Sequence, residues 1–171
     1  TSQPIPANVS AEIVIANKPL NTQTDPDQYG TAFLSWGGVT IHGDPKQPTF
    51  VRTAGEPKAG QATIMVEQPV TGWRAGDLLI VPDTRHLKWN EVTNWAPTAP
   101  QWEERTLQSV SADGRTLTLA SPLQFDHLGA RDATGALTFL PHVANLTRNV
   151  AVRSESPSGS SGTKGHVFFT H

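Results

Sequence analysis

Cysteine is absent from this 171-residue chain. That excludes disulfides and thiolate metal sites. Small secreted animal domains usually lean on disulfides, so the absence fits a bacterial exported protein or a cytosolic one. A basic surplus is also missing, with 13 Lys and Arg against 15 Asp and Glu and a formal net charge of −2. Nucleic acids and anionic membranes are held largely by Lys and Arg, so neither is an expected partner. No apolar run approaches the roughly 18 residues of a spanning helix, so membrane insertion by this segment is not expected. The opening residues TSQPIPANVS show neither the basic nor the apolar region of a signal peptide. An exported protein would therefore have lost its signal or would carry it outside this sequence.

Sustained helical periodicity is lacking too, whereas turn formers are abundant. Fourteen Gly and fourteen Pro exceed the roughly 12% average for the pair. They cut the chain into short segments, which favours strands over long helices. Period-two alternation or β-rich runs predict strands at 12–16, 31–36, 39–42, 49–53, 62–67, 77–81, 104–110, 115–120, 137–140, 149–153 and 165–170. The clearest hairpin is SVSADGRTLTLA, where Asp113-Gly114 separates two alternating runs and suits a type I′ turn. Loops are expected at 21–30, at 154–164, and at 86–101, the last long enough to suggest a function. Strands separated by corners and excursion loops near the carboxyl end are what stacked β-helix coils require.

The motifs also carry a resemblance. Asp25-Pro26, Tyr29-Gly30 and Gly38-Val39-Thr40-Ile41-His42-Gly43 resemble the end of an eight-glycine (G-eight) domain. Trp73-Arg74-Ala75-Gly76-Asp77 resembles the segment that follows it. Phe125-Asp126-His127-Leu128-Gly129, Asn145 to Val150 and Gly165-His166-Val167-Phe168 resemble the start of that family's right-handed parallel β-helix. The family includes the cell-migration-inducing hyaluronan-binding protein, the transmembrane protein 2 hyaluronidase, fibrocystin-like proteins and bacterial exported proteins. The bacterial members are the nearest in pattern. The resemblance implies an all-β fold with very little helix, a small β-sandwich or barrel-like part leading into the first coils of a right-handed parallel β-helix. The expected divisions are 1–43, the end of the G-eight-like domain; 44–124, a sandwich-like segment with the Trp loop; and 125–171, a β-helix start cut short at His171.

The residues divide by chemistry. Gly76 before Asp77 permits a tight turn whose backbone the carboxylate can bond, with Trp73 capping the sheet. His42, Arg148, Asn149 and His166 read as structural groups at corners and strand ends. Trp89, Trp95 and Trp102, with Lys88, Glu103, Glu104 and Arg131, form the best ligand-contact set, because rings cover the apolar faces of sugars while charged groups take the hydroxyls. Asp126, His127 and Asp132 are the catalytic candidates, since glycoside hydrolysis typically needs two carboxyl groups flanking the bond. A turn tied by Asp–Arg pairs explains the same cluster without catalysis. No histidine pair has metal-ligand spacing, so no metal is expected. His42, His127 and His142 could still meet in space.

The expected function is a module of an exported or cell-surface protein that binds or helps process an extracellular polysaccharide, hyaluronan-like by resemblance. The alternatives are part of a hyaluronidase-like hydrolase or lyase, or an adhesive subunit docking on another protein. As an isolated chain it is not expected to be catalytic. Its partners would be polysaccharide or the rest of a larger protein, and its location secreted, periplasmic or cell-surface. No cofactor is expected, with Ca2+ or another divalent cation left open.

Overall fold

The computed structural model describes residues 3–86, 99–158 and 163–169. Its described residues are nearly all strand and loop: β1 (Ala11–Ile15), β2 (Ala32–Ser35), β3 (Phe50–Arg52), β4 (Thr63–Met65), β5 (Leu78–Val81), β6 (Glu103–Val110), β7 (Thr116–Leu119), β8 (Ala130–Arg131), β9 (Leu137–Phe139), β10 (His142–Asn145), β11 (Val150–Ser154) and β12 (His166–Phe169). The 3-10 turn Tyr29–Thr31 adds three residues of helix. No described helix is long and apolar enough to cross a membrane. The chain forms two compact units, one from Thr1–Asp44 with Arg148–His171 and the other from Pro45–Thr147.

The second unit is an antiparallel sheet in the order β3-β10-β5-β6-β7-β4. Its two outer strands also meet, because Thr53 bridges Val66 just beyond β3 and β4. The Glu67 N–H donates to the Arg52 carbonyl at 2.9 Å and the Ala54 N–H to the Met65 carbonyl at 2.8 Å. The sheet thus curls into a small barrel-like body, which removes exposed edges. Cross-strand partners Val51 and Val143, Ile64 and Leu117, and Leu107 and Leu119 all turn inward and are buried. Each fully buried side chain of this kind stabilises the fold by roughly 1.5–3 kcal/mol. Trp73 closes the core and donates its indole N–H to the Pro48 carbonyl at 3.0 Å.

In the first unit the pairing is parallel. β1 runs beside β11 from Ala11 opposite Val150 to Ile15 opposite Ser154. β2 runs beside β12 from Ala32 opposite His166 to Ser35 opposite Phe169. Two strands in the same order therefore stack in register on two others, the arrangement of successive β-helix coils. Parallel pairing needs a crossover connection, and here the chain from β2 to β11 passes through the whole second unit. Asn149 ties the corner before β11: its Nδ2 donates to the carbonyls of Pro6 at 3.0 Å and Val9 at 2.9 Å, and its Oδ1 accepts the Asp44 N–H at 2.7 Å.

Several local expectations are corrected. Residues 39–42 form no strand: Val39 and Ile41 are exposed, and the one ladder-like bond there is from the Ile5 N–H to the His42 carbonyl. β8 and β10 arise where no strand was expected. The β6–β7 turn is not type I′, which needs two positive φ angles. Gly114 alone has a positive φ, 72°, and its N–H closes the turn onto the Ser111 carbonyl at 2.9 Å. Residues 125–147 lie in the second unit.

Candidate functional site

The residues that follow β5 are pinned to those that precede β6. The Asp83 carboxylate accepts Arg85 Nη2 at 2.8 Å and Nε at 3.1 Å, and the Gln101 N–H at 2.8 Å. Arg85 Nη2 also donates to the Ala99 carbonyl at 3.0 Å. The Arg85 guanidinium holds the Asp83 carboxyl well below the usual carboxylate range, outweighing the burial that opposes it.

Beside these residues the segment after β7 supplies a second wall. The Asp126 carboxylate accepts the Ala59 N–H at 2.9 Å. Glu56 accepts the Gly129 N–H at 2.8 Å with one oxygen and Arg131 Nη2 at 2.8 Å with the other. Gly129 is required sterically, because a Cβ there would lie 2.3 Å from the Phe139 carbonyl oxygen. Between the walls runs an open groove of about 840 Å³, lined by Arg85, His86, Gln101, Asp126, Leu128 and Arg131. That volume is in the range of ligand sites. Its lining offers donors and acceptors around an apolar Leu128, a composition that can hold a hydroxyl-rich ligand.

Behind the Asp126 wall lies a buried polar cluster. His127 is fully buried; its Nε2 lies 2.8 Å from Glu103 Oε1 and its Nδ1 2.8 Å from the Pro82 carbonyl oxygen. Glu103 also accepts the N–H groups of Gln124 at 2.8 Å and Phe125 at 3.1 Å, and pairs with Arg105. Burial pushes the Glu103 carboxyl up, but these hydrogen bonds and Arg105 outweigh it, so it sits below its ordinary value.

The expected site residues are therefore dispersed. Asp126 and Arg131 meet in the groove, whereas His127 points into the interior. Asp132 is spent on its own turn, accepting Thr134 Oγ1 at 2.6 Å and the N–H groups of Thr134 at 2.8 Å and Ala136 at 3.0 Å. The Thr134 hydroxyl and these amides lower its carboxyl. Trp102 is 48% exposed and Glu104 is exposed on β6. Lys88, Trp89 and Trp95 lie outside the described residues. Gly76 has a φ of 91°, and Asp77 accepts the Arg74 N–H across that turn at 2.9 Å. Asp77 also receives Lys46 Nζ at 2.9 Å and Asn145 Nδ2 at 2.8 Å. His42 and Arg148 are exposed, and His166 is half-buried at the start of β12. Among the described residues no three His, Asp or Glu side chains are placed to hold a metal ion. His127 and His142 do not converge as ligands: the first faces Glu103, the second Phe50 and Phe139. Sequence reasoning missed Asp83, Glu56 and Lys46, whose only signal is an acidic or basic residue beside a strand end, and it read Glu103 as a sugar contact where the structure buries it against His127.

No protein-family model matches the chain. Mouse Fibrocystin-L is 34% identical over 68% of the chain and human Fibrocystin-L 33% identical over the same share. A G8 domain-containing protein of Dictyostelium discoideum is 25% identical over 90% of it. The chain spans 3% of Fibrocystin-L and 13% of the Dictyostelium protein. Among solved structures, the tailspike gp61 of Pseudomonas phage phi297 aligns with 81% of the chain and 18% of its own, at 15% identity and a TM-score of 0.42. The gp54 tailspike of Acinetobacter baumannii bacteriophage AP22, solved with A. baumannii capsular saccharide, aligns with 85% of the chain and 21% of its own, at 15% identity and a TM-score of 0.40. The sequence relatives, Fibrocystin-L and a G8 domain-containing protein, support a G8 domain in this chain.

Proposed function

We infer that this chain is a polysaccharide-binding module of an exported or cell-surface protein, with a hyaluronan-like glycan as the favoured ligand class. The observation that carries the reading is the groove between Arg85, Gln101, Asp126 and Arg131, where fixed charged and amide groups surround Leu128. Sugars offer hydroxyl rims and apolar ring faces, and this lining matches both. The kinship with G8 proteins agrees with such a role. Binding is favoured over hydrolysis because His127 is buried and Asp132 is committed to its turn.

Affinity electrophoresis of the chain through gels containing hyaluronan, alginate or xylan tests the reading. At least one polysaccharide should retard the protein, and Arg131→Ala and Asp126→Asn should each reduce that retardation without lowering the melting temperature. No retardation in any gel would overturn it. A reducing-end assay run alongside addresses hydrolysis, with Asp126→Asn and Asp132→Asn as the variants that should abolish it if these carboxylates act.

A second reading, docking on another protein, draws on the first unit, where Trp36 is 67% exposed and Phe169 is 60% exposed. Concentration-dependent self-association in size-exclusion chromatography, without glycan retention, is its expected signature.

A further inference from the structure

The outer face of the barrel-like sheet carries a row of rings that its interior does not require. β3 pairs with β10 so that Val51 and Val143 face each other in the core. Alternation then places Phe50, Arg52, His142 and Ala144 on the outer face. Outward positions on such a sheet are ordinarily polar, yet Phe50 is 61% exposed and Phe139, at the end of β9, is 48% exposed. His142 stands between them, its ring centroid 5.8 Å from that of Phe50 and 5.3 Å from that of Phe139. The Arg52 guanidinium lies 5.2 Å over the Phe139 ring and 3.7 Å from the Glu67 carboxylate. Phe50, Arg52, Glu67, Gln68 and His142 border an open groove of about 330 Å³.

We propose that this strip is a second saccharide-binding surface, stacking on successive pyranose rings of the polysaccharide. The proposal rests on the binding role inferred above and adds a site to it. Single exposed apolar residues need no explanation, but Phe50 and His142 are set on paired strands and Phe139 packs against His142, so the three rings form a contiguous prearranged platform. Rigid placement of this kind lowers the ordering cost of binding. The rings suit the C–H faces of pyranoses, while Arg52, Glu67 and Gln68 supply hydrogen bonds to the hydroxyl rim. Because Arg52 and Glu67 offset each other, the strip has little net charge to hold a polyanion. Ring stacking, and not counter-charge, is the attraction, so retention here should survive high salt. The rings tilt by 57° and 37° to one another. That curved surface follows a twisted chain better than a planar aromatic ligand.

The test uses the full chain with Phe50→Ala, Phe139→Ala and the double variant in the same polysaccharide gels, at low and high salt. Each single change should weaken retention about tenfold, the upper end for one aromatic contact. Melting temperature should not fall, because both rings are exposed, and Tyr29→Ala in the other unit should have no effect. If Arg131→Ala weakens retention while both ring variants bind normally, the strip is refuted and the groove stands. If the unaltered chain is retained by no polysaccharide, both fall. If the ring variants abolish self-association in sedimentation and leave retention unchanged, the strip is a protein contact and the proposal is overturned.

Discussion

Glu103 and His127 lie side chain to side chain in the interior of the second unit, Oε1 2.8 Å from Nε2, directly behind the groove that Asp126 borders. Asp126 and His127 are neighbours in sequence, yet one faces the groove and the other the core. The pair therefore supports the wall of the site without reaching a ligand. Removing one member of a buried pair typically costs 3–5 kcal/mol. Since Arg105 and two backbone N–H groups still serve Glu103, His127→Leu should cost about 3 kcal/mol, at the low end of that range. Urea unfolding measures it, and a loss below about 1 kcal/mol, the size of an exposed pair, would contradict the buried arrangement.

Acid stability should report the same cluster. The Glu103 carboxyl is depressed in the folded state, so the unfolded chain binds the proton more readily. Its contribution is then fully present above the unfolded value of about 4.3 and is lost as pH falls through the lower folded value. Asp83 acts with the same sign at still lower pH. Melting temperature should therefore decline below about pH 4, and Glu103→Gln should flatten that decline. An unchanged slope in the variant would assign the acid loss to other groups.

The strands most legible in the sequence were those with dense β-branched or alternating residues, such as AEIVI in β1, LLIV in β5 and TLTL in β7. β10, HVAN, has one strong β former and was invisible locally. Its place between β3 and β5 makes it a strand. The parallel β1–β11 pair was equally hidden, because its partners are separated by the whole second unit and no local signal links them. At the site, the polar density around Asp126 and Arg131 was readable. Which side chains turn inward was not, since that depends on the Pro82 carbonyl and the Gln124 and Phe125 N–H groups brought together by folding.

Coil stacking can be tested at one point of close approach. A Cβ on Gly165 would lie 2.5 Å from Ile15 Cγ2. Gly165→Ala should therefore destabilise the first unit by roughly 1–3 kcal/mol through overpacking. Combined with Ile15→Ala, the loss should be smaller than the sum of the single changes by about 1 kcal/mol. Strict additivity would mean that the two residues do not touch.

The buried Lys46–Asp77 pair predicts an order of effects. Asp77 receives Lys46, the Arg74 N–H and Asn145 together. Asp77→Ala leaves the buried Lys46 ammonium the Gly72 carbonyl but no counter-charge and should cost about 3–5 kcal/mol, whereas Lys46→Met leaves Asp77 two donors and should cost less. Denaturant midpoints of the two variants give the comparison, and the reverse order would contradict this network.

The binding claim is tested most directly by backbone amide chemical-shift mapping of the isotope-labelled chain titrated with hyaluronan oligosaccharides, and in parallel with xylan oligosaccharides. Saturable shifts should appear at Gln101, Gly129 and Arg131, and at Arg52 and His142 on the outer strip. Absence of saturable shifts with either series, or shifts confined to β11 and β12, would contradict it.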